Sequence, residues 1–169
     1  MTPNIGIAEV EIIGGSANST EYVPYGPPTE NAFDFFQELS WSGSNVVFPA
    51  ILWYEFPANA AFIPARVSFR PAHKGMMDQG PTMWQFVGSN DEECGRFSAW
   101  TVICEDLSDT GYQSMSWTKY CDASDDWRMS RRTSWKTYRC LGISILNNRN
   151  TLGHVALRDI RMWKKVVTD

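Results

Sequence analysis

The chain breaks into short apolar runs rich in β-branched and aromatic residues, and each run is bounded by Pro, Gly, Asn or Ser. These are IAEVEII, VVFPAILWYEF, FIPARVSF, MWQFVG, AWTVIC, YRCLGISIL and HVALRDIRMW. None is long enough for a helix-dominated fold, and turn signals separate all of them, the pattern of an all-β sandwich or barrel. Only Thr29–Leu39, TENAFDFFQEL, carries a helical pattern, so one short helix is expected. Within ARVSFR, Val67 and Phe69 alternate with Arg66, Ser68 and Arg70, as a half-buried strand requires. Pro49, Pro57 and Pro64 confine their strands to edges, ends or bulges. Along HVALRDIRMW, Val155 and Leu157 set one alternation and Ile160 and Met162 continue on the other. That phase change predicts a β-bulge at Arg158–Asp159.

With 169 residues the chain has enough length for one substantial core, and we expect a single domain over 1–169. A net charge of −4 lacks the footprint of a nucleic-acid binder, and no apolar run reaches transmembrane length. The N-terminus has no basic segment followed by an apolar one, so the sequence reads either as cytosolic or as a mature fragment without its leader. Cys94, Cys104, Cys121 and Cys140 lack CxxC spacing and are expected to form disulfides; buried free thiols are the alternative. Of the three possible pairings we expect Cys94–Cys104 and Cys121–Cys140, each closing a loop. The sequon Asn18–Thr20 points with the cysteines to an extracellular or cell-surface location.

Catalytic signatures are missing: the sequence has no GxSxG, HExxH, phosphate loop or GxGxxG, and only His73 and His154 as histidines. The acids of SDDW, Ser124–Trp127, read as a solvated loop rather than a catalytic pair. Eight tryptophans are many for this length. Trp53, Trp84 and Trp100 fall inside strand runs and are expected in the core. Trp41, Trp117, Trp127 and Trp135 sit near turns, where they either cap the sandwich or offer stacking surfaces.

The order of runs resembles the discoidin, or coagulation factor 5/8 type C, family. VGSND at Val87–Asp91, YRCLGI at Tyr138–Ile143 and HVALRDI at His154–Ile160 stand where that family has its Ser-Asn-Asp turn, its Arg-containing strand and its closing strand. LWYEFP at Leu52–Pro57 and NAFDFF at Asn31–Phe36 fill two further places. The chain departs from the family in lacking a terminal cysteine pair and in the long segment Glu105–Trp135. The resemblance implies an eight-stranded galactose-binding-like jelly roll. It implies a non-catalytic module that binds glycans, phospholipid headgroups or proteins through loops at one end, and among these a glycan is the expected partner.

In RPAHKGMMDQGP, the resemblance places a binding loop with Arg70, His73, Lys74 and Asp78 as hydrogen-bonding groups and Trp41 and Trp127 as stacking candidates. Met76 and Met77 either form a soft apolar surface there or fold back onto the sandwich. The resemblance also implies a structural calcium held by Asp34 and Asp159, with backbone oxygens of Asn31 and Arg158; a salt bridge of Asp159 is the alternative.

Overall fold

The structure, a computed structural model, describes residues 6–12, 16–19, 40–43, 47–57, 61–71, 80–107, 121–122, 136–148 and 154–168. The described residues form ten strands and no helix. They are β1 (Gly6–Glu11), β2 (Ser16–Ser19), β3 (Ser40–Gly43), β4 (Ala50–Glu55), β5 (Pro64–Pro71), β6 (Pro81–Ser89), β7 (Thr101–Asp106), β8 (Cys121–Asp122), β9 (Cys140–Asn148) and β10 (Val155–Thr168). The expected helix at Thr29–Leu39 lies outside the described residues.

Two five-stranded sheets face each other. The β10 sheet runs β1-β10-β5-β8, with β3 also paired to β10; the β9 sheet runs β2-β4-β9-β6-β7. Every pairing is antiparallel. All seven apolar runs contribute strands. The three beyond those runs, β2, β3 and β8, which make ten described strands against the expected eight, are short and built largely of small or polar residues. Their sequences carry no apolar alternation, so only the neighbouring ladder defines them.

Alternate residues of each sheet fill the space between. Leu52, Val67, Phe69, Phe86, Leu141, Ile143, Ile145, Val155 and Leu157 are fully buried there. The Phe69 and Trp84 rings meet edge to face at 4.9 Å, one from each sheet. Burial of this many large apolar side chains, each contributing roughly 1.5–3 kcal/mol, is the main driving force of the fold.

The bulge in β10 is present. Arg158 pairs with Arg70 and Arg161 with Ser68, so Asp159 and Ile160 together oppose Phe69. Val155 and Leu157 before it and Ile160 and Met162 after it all face the core. Pro64 opens β5, while Pro49 precedes and Pro57 follows β4, so none interrupts a ladder. At the far side Gly6 pairs with Thr168, which sets the outer ends of β1 and β10 side by side.

Candidate functional site

The sandwich has two ends with different chemistry. At one, β4 finishes, β6 finishes and β9 begins, because Glu55 and Ser89 both pair with Cys140. Arg139 organises this end. Its guanidinium donates to the Asp91 carbonyl at 2.8 Å, to the Glu92 carbonyl, to the Phe56 carbonyl at 3.4 Å and to Glu55 Oε1 at 3.0 Å. Asn90 closes the same corner, accepting from the Arg139 backbone N–H at 3.0 Å and donating to the Thr137 carbonyl at 2.7 Å. Tyr138 is wholly buried beneath, its ring against Gly88, where an added Cβ would stand 2.6 Å from the ring. Burial pushes the Tyr138 phenol above its ordinary range, with Thr101 beside it acting in the opposite sense.

From this corner the loop 90–100 folds over the outer face of the β9 sheet. Cys94 is disulfide-bonded to Cys140, and Trp100 packs edge to face on Trp53 at 5.8 Å. With Ile51 and Val87 they make a second small core outside the sandwich. The loop is tied internally: Trp100 Nε1 donates to the Gly95 carbonyl at 2.9 Å, and the Ala99 N–H donates to Asp91 Oδ2 at 2.9 Å. Its tip leaves Phe97 96% exposed. Sequence reading saw the turn in VGSND but missed Phe97, because nothing in GRFSAW distinguishes a solvent-facing Phe from a packed one.

This disulfide overturns both expected pairings, Cys94–Cys104 and Cys121–Cys140. Ladder pairing of β6 with β9 sets Cys140 beside Ser89, the residue that opens the Cys94 loop, whereas nearness in sequence had favoured Cys104. Cys104 is itself disulfide-bonded, so the alternative of buried free thiols fails for the described cysteines.

The opposite end gathers the C-terminal ends of β3 and β5, the N-terminal ends of β4, β6 and β10, and the end of β9. Asn148 Nδ2 donates to the His154 carbonyl at 2.6 Å and ties β9 to the start of β10. Arg70 is the penultimate residue of β5, opposite Arg158. Trp41 lies in the adjoining register row, Trp41–Leu157–Pro71. The two rows thus put Trp41 and Arg70 on strands flanking β10, about 10 Å apart at two strand spacings.

Trp127 lies outside the described residues. His73, Lys74 and Asp78, with Met76 and Met77, lie outside the described residues, as do Asp34 and Asn31 of the expected calcium set. Among the described residues no group of three or more His, Cys, Asp or Glu is placed to hold a metal ion. Of that set the structure places only Asp159 and Arg158, both at the bulge.

No family model matches the sequence, and no curated protein matches it. Solved structures do resemble it. The family 32 carbohydrate-binding module of Clostridium perfringens NanJ, in complex with galactose, superposes with TM-score 0.60 at 13% identity, covering 88% of this chain and 93% of that one. The CBM62 of Clostridium thermocellum Xyl5A gives 0.63 at 15% identity, over 92% and 96%. The CBM32 of AlyQ, in complex with 4,5-unsaturated mannuronic acid, gives 0.58 at 11% identity, over 90% and 97%. The fold is a galactose-binding-like β-sandwich. On that sandwich, the Arg139 end turns its polar groups onto its own backbone, and the Arg70 end is where several chain connections converge.

Proposed function

We propose that this chain is a non-catalytic carbohydrate-binding module that holds a glycan at the end of the sandwich where β5 passes to β6. The observation that carries the reading is the asymmetry of the two ends on a scaffold shared with glycan-bound modules. The Arg139 guanidinium is committed to Glu55 and three backbone carbonyls. At the other end β5 and β6 deliver the Arg70–Pro81 connection, with its Arg, His, Lys and Asp donors and acceptors. The neighbours' ligands, galactose and an unsaturated mannuronic acid, support a saccharide as the partner class.

In this reading Arg70, His73, Lys74 and Asp78 bind hydroxyls, Trp41 lies one row from Arg70, and the chemistry is recognition without bond cleavage. The narrower family resemblance to discoidin domains and a single domain over 1–169 belong to the same proposal. Disulfides persist in oxidising compartments, which supports an extracellular or cell-surface setting. A calcium between Asp34 and Asp159 fits in one respect, since a bulge lifts Asp159 out of the ladder parity. It needs six to eight oxygens, which other residues would have to complete.

A glycan array, run beside sedimentation with phosphatidylserine vesicles, tests the reading. The expected result is capture by at least one glycan, lost in Arg70→Ala with the melting temperature unchanged. Silence across the array overturns it; vesicle binding with a silent array points to a membrane-adhesive domain instead.

A further inference from the structure

Among the described residues Phe97 is the one large apolar side chain that the fold leaves almost wholly in water. The others that are exposed, Val10, Val47, Val102 and Leu107, are aliphatic and stand 41–64% exposed, against 96% for Phe97. The ring sits at a corner of a turn over Gly95–Ser98. The Ser98 N–H donates to the Gly95 carbonyl at 3.2 Å and the Gly95 N–H to Ser98 Oγ at 2.8 Å, so Arg96 and Phe97 hold the two central positions. Such corners accept nearly any residue type, so closing the turn does not require an aromatic there. An apolar ring left in water adds nothing to folding, since its contribution comes from burial.

The loop that carries the ring is held at several points. Ser98 Oγ donates to the Glu93 carbonyl at 3.3 Å, and the Trp100 N–H donates to the Ser98 carbonyl at 2.9 Å. The Cys94–Cys140 disulfide and the Trp53–Trp100 contact anchor its underside. Arg96 Nη1 donates to the Val47 carbonyl at 3.5 Å, which joins to the turn a second exposed apolar residue. A ring on a loop already ordered binds without the cost of ordering that loop. The surroundings are acidic. Glu92 and Glu93 are exposed, and among the described residues neither carboxylate has a partner. Asp91 Oδ2 accepts from the Ala99 N–H, and Arg96 is the single cation from 91 to 97.

We propose that Phe97 is a stacking platform for a sugar ring, a saccharide contact separate from the Arg70 end, and that the ring it takes is an amino sugar. The inference rests on the glycan-binding reading and adds to it a second contact and a ligand class. One aromatic face beside one valine offers the area of a single pyranose face. A stable protein interface instead buries about 800 Å² on each partner around a packed centre. A bilayer fits poorly, since anionic headgroups attract basic segments, whereas these acids belong to a chain of net charge −4. The same charges select among sugars: a protonated amine meets both the negative face of the ring and the carboxylates of Glu92 and Glu93.

Calorimetric titration of the full chain tests this below neutral pH, where sugar amines are protonated, with a glucosamine hexasaccharide, its N-acetylated counterpart and oligolysine. Phe97→Ala is expected to weaken binding of the glucosamine oligomer ~10-fold, the loss of one stacked ring and its cation contact, at unchanged melting temperature. Glu92→Gln with Glu93→Gln is expected to erase the preference over the N-acetylated oligomer, and rising salt to weaken binding by the unsubstituted chain. Arg70→Ala is expected to keep the Phe97-dependent binding, since the two contacts are separate. Sugar binding that Phe97→Ala leaves untouched overturns the platform, while glycan capture lost in Arg70→Ala keeps the wider reading standing. Equal binding of the N-acetylated oligomer overturns the amino sugar. Phe97-dependent binding of oligolysine without the sugars assigns the ring to a basic protein partner, and Phe97-dependent vesicle sedimentation assigns it to a membrane; each overturns the saccharide. No binding of either sugar, with a silent glycan array, overturns both readings.

Discussion

Tyr138 and Arg139 are neighbours in sequence with opposite burdens. Tyr138 is completely buried, and burial raises its phenol above the ordinary value of about 10. The native state thus keeps a proton that the unfolded chain releases. Stability from this group is complete below pH about 10 and falls as pH climbs toward the raised native value. Urea melts across pH 9–11 are expected to show that alkaline decline, and Tyr138→Phe to flatten it. Arg139 holds a charge at the surface of the same corner, paired with Glu55 and shared among three carbonyls. Charge-assisted hydrogen bonds contribute about 1.5–3 kcal/mol each and are not additive. Arg139→Met is expected to cost about 3 kcal/mol in urea denaturation, with Arg139→Lys recovering only part because a point charge cannot serve the same fork.

Among elements, the loop 90–100 is the one the sequence concealed most. Its disulfide joins residues separated by 46 positions. A loop of that length corresponds to about 4 kcal/mol in the chain-entropy account. Cys94→Ser with Cys140→Ser is expected to lower stability by roughly 2–4 kcal/mol and to raise the exposure of Trp53 and Trp100, read as a red shift in tryptophan emission. The strands that were legible, β1, β4, β5, β6, β7, β9 and β10, carry runs of apolar residues that must be buried whatever their partners. The phase change at Arg158–Asp159 was legible for the same reason, since both halves of β10 feed one core. Strands β2, β3 and β8 were not, because SANS, SWSG and Cys121–Asp122 owe their conformation to backbone pairing with a neighbour. Cysteine pairing failed similarly: it depends on which strands lie side by side, and local sequence does not encode that β6 lies next to β9. Of the expected site, Arg70 and Trp41 fell on neighbouring register rows of one sheet end, while Trp127 lies outside the described residues.

For the whole molecule, the two sheets divide the work. The β9 sheet has its outer face roofed by the disulfide-bonded loop; on the β10 sheet Arg161 faces Glu11 and Arg66 lies over the Trp163 ring. If calcium spans Asp34 and Asp159 it ties the closing strand to the chain ahead of β3, so melting with and without chelator measures it directly. We expect a lower melting temperature in chelator, and no such sensitivity in Asp159→Asn; identical melts remove calcium from the reading. The pairing of Gly6 with Thr168 has a mechanical consequence. A force applied through these two residues opens the β1–β10 ladder like a zipper, loading its rungs in succession rather than together. Held by one terminus, the module passes tension around itself; stretched between both, it yields first at that seam, while the Arg70 end, a strand's length away, stays assembled until the seam has parted.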